Sequence, residues 1–258
     1  MCLLIFAHHS DPRYPLVVAA NRDEFHARPT AASDFWPEHP ELLAGRDLEQ
    51  GGTWMGITRA GRFAAITNYR DPSRTAPAPR SRGELPLNYL VGNGTPIEFL
   101  TDLAERAEEY AGFNLLVGDN SCLWYLSNSR GADQGNPRCL QPGTYGLSNA
   151  QLDTPWPKVI LGKNKLSTLL GSGPAEHAAL AAVVGDQQLA DPATLRRQGM
   201  ESSMEQLLSA QFITTESYGT RSTTTLWTDR EGAVSWRETS FDQQGEPREV
   251  REETFSLG

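Results

Sequence analysis

The sequence predicts a layered α+β domain built mainly from antiparallel sheets. Short apolar runs rich in β-branched residues, each bounded by turn residues, fill both ends of the chain. Amphipathic helical stretches fall in blocks between them, and strand and helix nowhere alternate as βαβ units require.

Taken in order, Leu3 to Ala7 and Leu16 to Ala20 read as two neighbouring buried strands around a Ser10-Asp11-Pro12 turn. Cys2 opens the first, and the tetrad Asn21-Arg22-Asp23-Glu24 closes the second, which carries Asp23 back toward the chain's beginning. Phe25 to Gln50, rich in Pro, Asp and Glu and without helical period, reads as a long, partly extended surface excursion. Thr53 to Thr58 and Phe63 to Asn68 form a hairpin. The Pro- and Arg-rich stretch Arg70 to Arg82, with Arg74, Arg80, Pro72, Pro77 and Pro79, is a loop.

Helices follow at Gly83–Val91 and Thr95–Tyr110. In the second, Thr95 and Glu98 have capping-box spacing and Pro96 suits the first helical position. Phe113–Val117 and Leu123–Leu126 are strands, Ser127 to Pro142 is turn-rich, and Gly143 to Asn149 is strand-like again. Trp156–Leu170, His177–Val184 and Met204–Ala210 read as helices. Thr223–Thr228, Ala233–Glu238 and Arg248–Phe255 read as closing strands. With no repeat and no long linker, residues 1–258 make one domain.

A net charge of -9 argues against nucleic acid as a partner, because phosphate binding needs concentrated Lys and Arg. No apolar run approaches the roughly 20 residues that span a bilayer, and the N-terminus lacks the basic and apolar regions of a signal peptide. Three cysteines, an odd and sparse set, fit a reducing compartment, so the expected location is cytoplasmic. A Cys122–Cys139 bridge stays open.

Cys2 becomes an N-terminal cysteine if Met1 is removed. Its α-amine, with an ordinary pKa near ~7.7, could then take the thiol proton without a histidine. The alternative is a small apolar residue starting a buried strand. Asp23 could orient the amine and Arg22 hold a carboxylate or phosphate, or the tetrad could be an ordinary strand end. Asn68 and Asn149 each end a strand-like stretch, where an amide can serve an oxyanion or merely make a turn. Arg221 could add charge to the same cavity or lie exposed. The histidines stand at no metal-ligand spacing, so no metal site is expected.

Together these residues resemble the NRDE family, also called the transport and Golgi organisation protein 2 family. The resemblance is carried by Met1-Cys2, Asn21 to Phe25, Gly51 to Ile57, Thr67-Asn68-Tyr69, Arg82 to Leu85, Gly143 to Asn149 and Tyr218 to Arg221. It implies an αββα fold of the N-terminal nucleophile hydrolases, with two stacked antiparallel sheets between helical layers. It further implies similarity to cysteine amidases, with catalytic places at Cys2, Asp23, Asn68, Asn149 and Arg221. Ligand-binding places fall at Asn21, Arg22 and Arg82. In those amidases an arginine sits a few residues before the aspartate; here Arg22 directly precedes Asp23, so the two share a pocket only with the help of a bulge. Haem trafficking and acyl-coenzyme A or lipid handling are also attached to the family. Two readings therefore stand side by side. One is a hydrolase of an acyl amide or thioester that needs no cofactor, and the other a non-catalytic carrier of haem or an acyl-coenzyme A.

Overall fold

The architecture was analysed in a computed structural model that describes residues 2–70, 78–129 and 135–258; Arg74, Pro72 and Pro77 of the arginine-rich loop lie outside them, as does Met1. The elements in chain order are β1 (Cys2–Asp11), β2 (Tyr14–Phe25), β3 (Thr30–Trp36), β4 (His39–Asp47), β5 (Met55–Thr58) and β6 (Phe63–Asn68). Then come α1 (Glu84–Val91), α2 (Pro96–Ala104), β7 (Phe113–Gly118), β8 (Leu123–Ser127), β9 (Arg138–Cys139) and β10 (Gly143–Leu147). The chain closes with α3 (Pro157–Ser172), α4 (His177–Val183), α5 (Pro192–Arg197), α6 (Ser203–Leu207), β11 (Tyr218–Thr228), β12 (Ala233–Phe241) and β13 (Pro247–Ser256).

The strands form a six-stranded sheet, β10-β1-β2-β11-β12-β13, and a seven-stranded sheet, β3-β4-β5-β6-β7-β8-β9. Strand alternation builds the layers. Leu4, Phe6 and Val18 face Leu43, Ile57 and Leu116 across the space between the sheets. Their neighbours Leu3, Ile5 and Val17 point the other way, onto Val159 and Leu166 of α3 and Leu180 of α4. On the far side, Leu42, Leu115 and Val117 meet Leu85 and Tyr89 of α1 and Leu100 and Leu103 of α2. The result is an αββα stack. Helix α3 lies tight on β1 because a Cβ at Gly162 would stand 2.6 Å from Ile5.

Two differences from the sequence reading have clear causes. The stretch 25–50 is no loose excursion: it holds the β3–β4 hairpin at one edge of the second sheet, with Ala31 opposite Arg46 and Phe35 opposite Leu43. An edge position tolerates the Pro and acidic residues that hid the strands. The helix expected through Tyr110 stops at Ala104, followed by a 3-10 turn at Ala107–Glu109. There Asn128 Nδ2 donates to the carbonyls of Ala107 and Tyr110, at 2.9 and 3.3 Å, which satisfies the chain end without more helix. Thr95 and Glu98 do form the capping box on α2, while α5, capped by Asp191, was not foreseen. Cys122 and Cys139 are free thiols, and among the described residues no helix is long and apolar enough to cross a membrane.

His177 fastens α4 to the first sheet. Its ring nitrogens bond Thr225 Oγ1 at 2.7 Å and Ser235 Oγ at 2.9 Å, and the ring lies 4.3 Å from Trp227. Burial lowers its pKa from 6.5 to about 4. Between those values the unfolded chain holds a proton that native His177 refuses, so its contribution is complete above pH 6.5 and lost as pH falls toward 4. His177→Gln is expected to flatten the pH dependence of urea unfolding in that window, measured as the difference from wild type.

Candidate active site

Cys2 begins β1 opposite Arg22 of β2, at the end of the sheet where a cavity of about 370 Å³ opens. Arg22, Asp23, Asn68 and Arg82 share its lining with Cys2. Three hydrogen bonds stitch the neighbouring strand ends together. Ser148 Oγ donates to the Cys2 carbonyl at 2.9 Å, Thr67 Oγ1 to the Ser148 carbonyl at 2.6 Å, and Asn149 Nδ2 to the Asn68 carbonyl at 2.8 Å.

Arg22 and Asp23 reach the cavity from opposite faces of β2. Arg22 points between the sheets and stacks on Trp54, 4.3 Å from its ring. It is only 6 % exposed, and its Nη1 has no hydrogen-bond partner among the described residues. Trp54 is itself seated on Gly45, where a Cβ would stand 2.3 Å from the indole. Asp23 faces the helices, buried, with Oδ1 accepting from Thr220 Oγ1 at 2.7 Å and its carbonyl from Tyr218 Oη at 2.9 Å. The two keep ordinary strand alternation, and the bulge lies in β11: Thr220 pairs with Asp23 and Ser222 with Arg22, which leaves Arg221 as the extra residue.

That bulge corrects the expectation for Arg221. Its guanidinium donates to the carbonyls of Phe25, His26 and Arg28 at 2.9, 3.2 and 3.2 Å, and it is not on the Cys2 cavity. Asn21 is corrected too. It faces the helices, donates to the carbonyls of Val184 and Gln211 at 2.8 Å each, and accepts from Thr223 Oγ1 at 2.7 Å. It is a tether rather than a ligand group. Asn149 is buried behind Asn68, off the cavity lining, with one amide hydrogen on the Asn68 carbonyl.

Of the arginines on the cavity, Arg28 pairs with Asp47 at 2.7 Å and Arg80 with Glu84 at 2.6 Å. Among the described residues Arg82 bonds only the Gly112 carbonyl, at 3.0 Å. Its loop is pressed onto Gly52, where a Cβ would stand 2.4 Å from the Gly83 carbonyl, and Thr53 N donates to that carbonyl at 3.0 Å. Arg22 and Arg82 are in no ion pair among the described residues.

Burial sets the protonation of the site. It pushes the Cys2 thiol up, reinforced by the Asp23 charge and opposed by a hydrogen bond from the Asp23 backbone. It pushes Asp23 up as well, against the charge of Lys158 and the Thr220 hydrogen bond. Lys158, on the first turn of α3 and 4 % exposed, donates to the Leu208 carbonyl at 2.9 Å. Burial lowers its pKa against the pull of Asp23 and Cys2. Sequence reasoning missed this residue. The signal was its spacing, since Lys158, Gly162 and Leu166 lie four apart on the buried face of the helix.

The model of the family described as Transport and Golgi organisation 2 matches residues 1–243. A Bos taurus Transport and Golgi organization protein 2 homolog is 39% identical over 265 residues, 93% of each chain. The Homo sapiens homolog is 37% identical over 281 residues, covering 100% of this chain and 99% of its own. Among solved structures, a mutant conjugated bile acid hydrolase from Clostridium perfringens aligns over 100% of this chain and 98% of that one, with 10% identity and a TM-score of 0.45.

If Asn21 is a tether, Asn21→Leu strands two buried carbonyls and a hydroxyl. Unfolding by urea is expected to show a loss of about 3 kcal/mol, at the scale of 1–3 kcal/mol per stranded group. The rate of Cys2 alkylation in the folded variant is expected to stay unchanged.

Proposed function

This chain belongs to the Transport and Golgi organisation 2 family, and from the chemistry of its cavity we propose that it hydrolyses an acyl amide or acyl thioester carrying an anionic group. Cys2 is the nucleophile. The observation that supports this reading is the convergence of Cys2, Asn68 and two arginines without carboxylate partners among the described residues on one cavity.

Removal of Met1 supplies the base, the freed α-amine of Cys2. The amine takes the thiol proton as sulfur attacks the carbonyl carbon, and the carbonyl oxygen becomes an anion. Asn68 offers its amide to that oxygen. Collapse breaks the bond to the leaving amine or thiol, which takes the proton back from the ammonium. Water, deprotonated by the same amine, then attacks the thioester and releases the carboxylic acid and free Cys2. Asp23, fixed by Thr220, holds the ammonium on the helix side, and Arg22 and Arg82 take the substrate's anionic group.

An acyl-coenzyme A, a thioester with phosphates, belongs to this substrate class. The haem-carrier reading draws less support. The cavity's lining is mostly polar or charged, and no histidine is on it among the described residues.

Turnover is tested on Met1-processed protein with matched acyl amides and thioesters, each with and without a terminal carboxylate. Cys2→Ser is expected to lose activity by about 100-fold or more, and intact mass to show an acyl group on wild type alone. Cys2→Ala turning over at the wild-type rate would sink the reading. Arg22→Gln and Arg82→Gln are each expected to raise KM about tenfold, near 1.4 kcal/mol, for anionic substrates and little for neutral ones.

A further inference from the structure

Strand β13 ends the six-stranded sheet, and its outer edge pairs with no strand among the described residues. The side chains from Pro247 to Glu252 are all exposed, and Val250, 45 % exposed, sits in the middle of them. Natural edges are usually blunted by proline, bulges or charge. Here Pro247 and a bulge at Arg248 lie at the beginning of the strand, and from Glu249 to Ser256 the ladder with β12 is regular. The charges are what remain, and their order is informative: Arg248, Glu249, Val250, Arg251, Glu252.

We propose that this edge pairs antiparallel with the same edge of a second copy of the chain, centred on Val250, joining the two six-stranded sheets into one. In that register Val250 meets Val250, Glu249 meets Arg251 and Arg248 meets Glu252, so every charge across the segment faces its opposite, each pair occurring twice by symmetry. Sliding by one residue sets Arg248 against Arg251 in one direction and Glu249 against Glu252 in the other. Sliding by two sets Glu249 against Glu249 or Arg251 against Arg251. Charges that repel every neighbouring register select this one rather than merely blunting the edge. Within the chain, Arg251 Nε already bonds Glu249 Oε1 at 2.8 Å and Arg237 Nη1 reaches Glu252 at 3.2 Å, so the groups are held on the strand before a partner arrives.

Strand pairing alone buries less than the ~1,200 Å² of a standard interface, so the dimer is reversible. Its ion pairs are exposed, so salt weakens it. Sedimentation velocity of the full chain over a concentration series, at low and high salt, is the test. Wild type is expected to show a monomer–dimer equilibrium that salt shifts toward monomer. Glu249→Arg sets like charges opposite at both central pairs and is expected to lower the association constant at least about tenfold. Glu249→Arg with Arg251→Glu exchanges the members of each pair, keeps the contact within the chain, and is expected to restore association. Wild type that stays monomeric throughout, a single variant that dimerises like wild type, or a double variant that stays as weak as the single one would each overturn the proposal.

Discussion

The register of β2 between β1 and β11 sets where Cys2, Arg22 and Asp23 stand, since Cys2 faces Arg22 on one side and Thr220 faces Asp23 on the other. That register is fixed by burial on both faces. A slip of one residue would turn Leu3 and Ile5 from the helix layer into the space between the sheets, and Leu4 and Phe6 out of it. The β11 bulge then acts on a frame that cannot slide. Without it Arg221 would stand opposite Asp23; with it Thr220 takes that place and supplies a hydrogen bond, while Arg221 turns to three loop carbonyls.

Charge in the cavity is more selective than its composition suggests. Arg28 and Arg80 are neutralised by acidic neighbours. Arg22 is held instead by the face of Trp54 and Arg82 by the Gly112 carbonyl. Stacking fixes a guanidinium's plane without consuming its N–H donors, which leaves Arg22 able to bind a carboxylate edge-on. Glycine makes the stacking possible, because any side chain at position 45 would displace the indole. The absence of a Cβ there bears directly on the site.

Much of this was legible in the sequence because it rests on local patterns. Short apolar runs bounded by turn residues marked β1, β2, β6 and β7, and the Thr95–Glu98 pair marked where α2 begins. The β3–β4 hairpin was not legible, since an edge strand need bury little and can be polar. Within the site, Cys2, Arg22, Asp23, Asn68 and Arg82 line one cavity. Asn21 and Arg221 could not be placed by counting. Asn21's face follows from strand parity, yet its partners Val184 and Gln211 lie far along the chain. Arg221's direction depends on a bulge that no residue type announces. Lys158 was passed over because lysine is expected at the surface, although its helical spacing placed it inside.

Burial acts in one direction on all three ionisable groups that meet at the head of β1: it favours the protonated thiol of Cys2, the protonated acid of Asp23 and the neutral amine of Lys158. A thiol held protonated is a poor nucleophile, and no histidine stands on the cavity among the described residues to take its proton. On the proposed reading the freed α-amine is therefore the switch. While Met1 remains, the nitrogen of Cys2 is an amide with no basicity. Once Met1 is removed, the same atom becomes an amine attached to the residue it must deprotonate. The ammonium formed in that transfer also gives the Asp23 carboxylate a counter-charge, so the ionised state that burial disfavours becomes accessible at the step where the chemistry needs it.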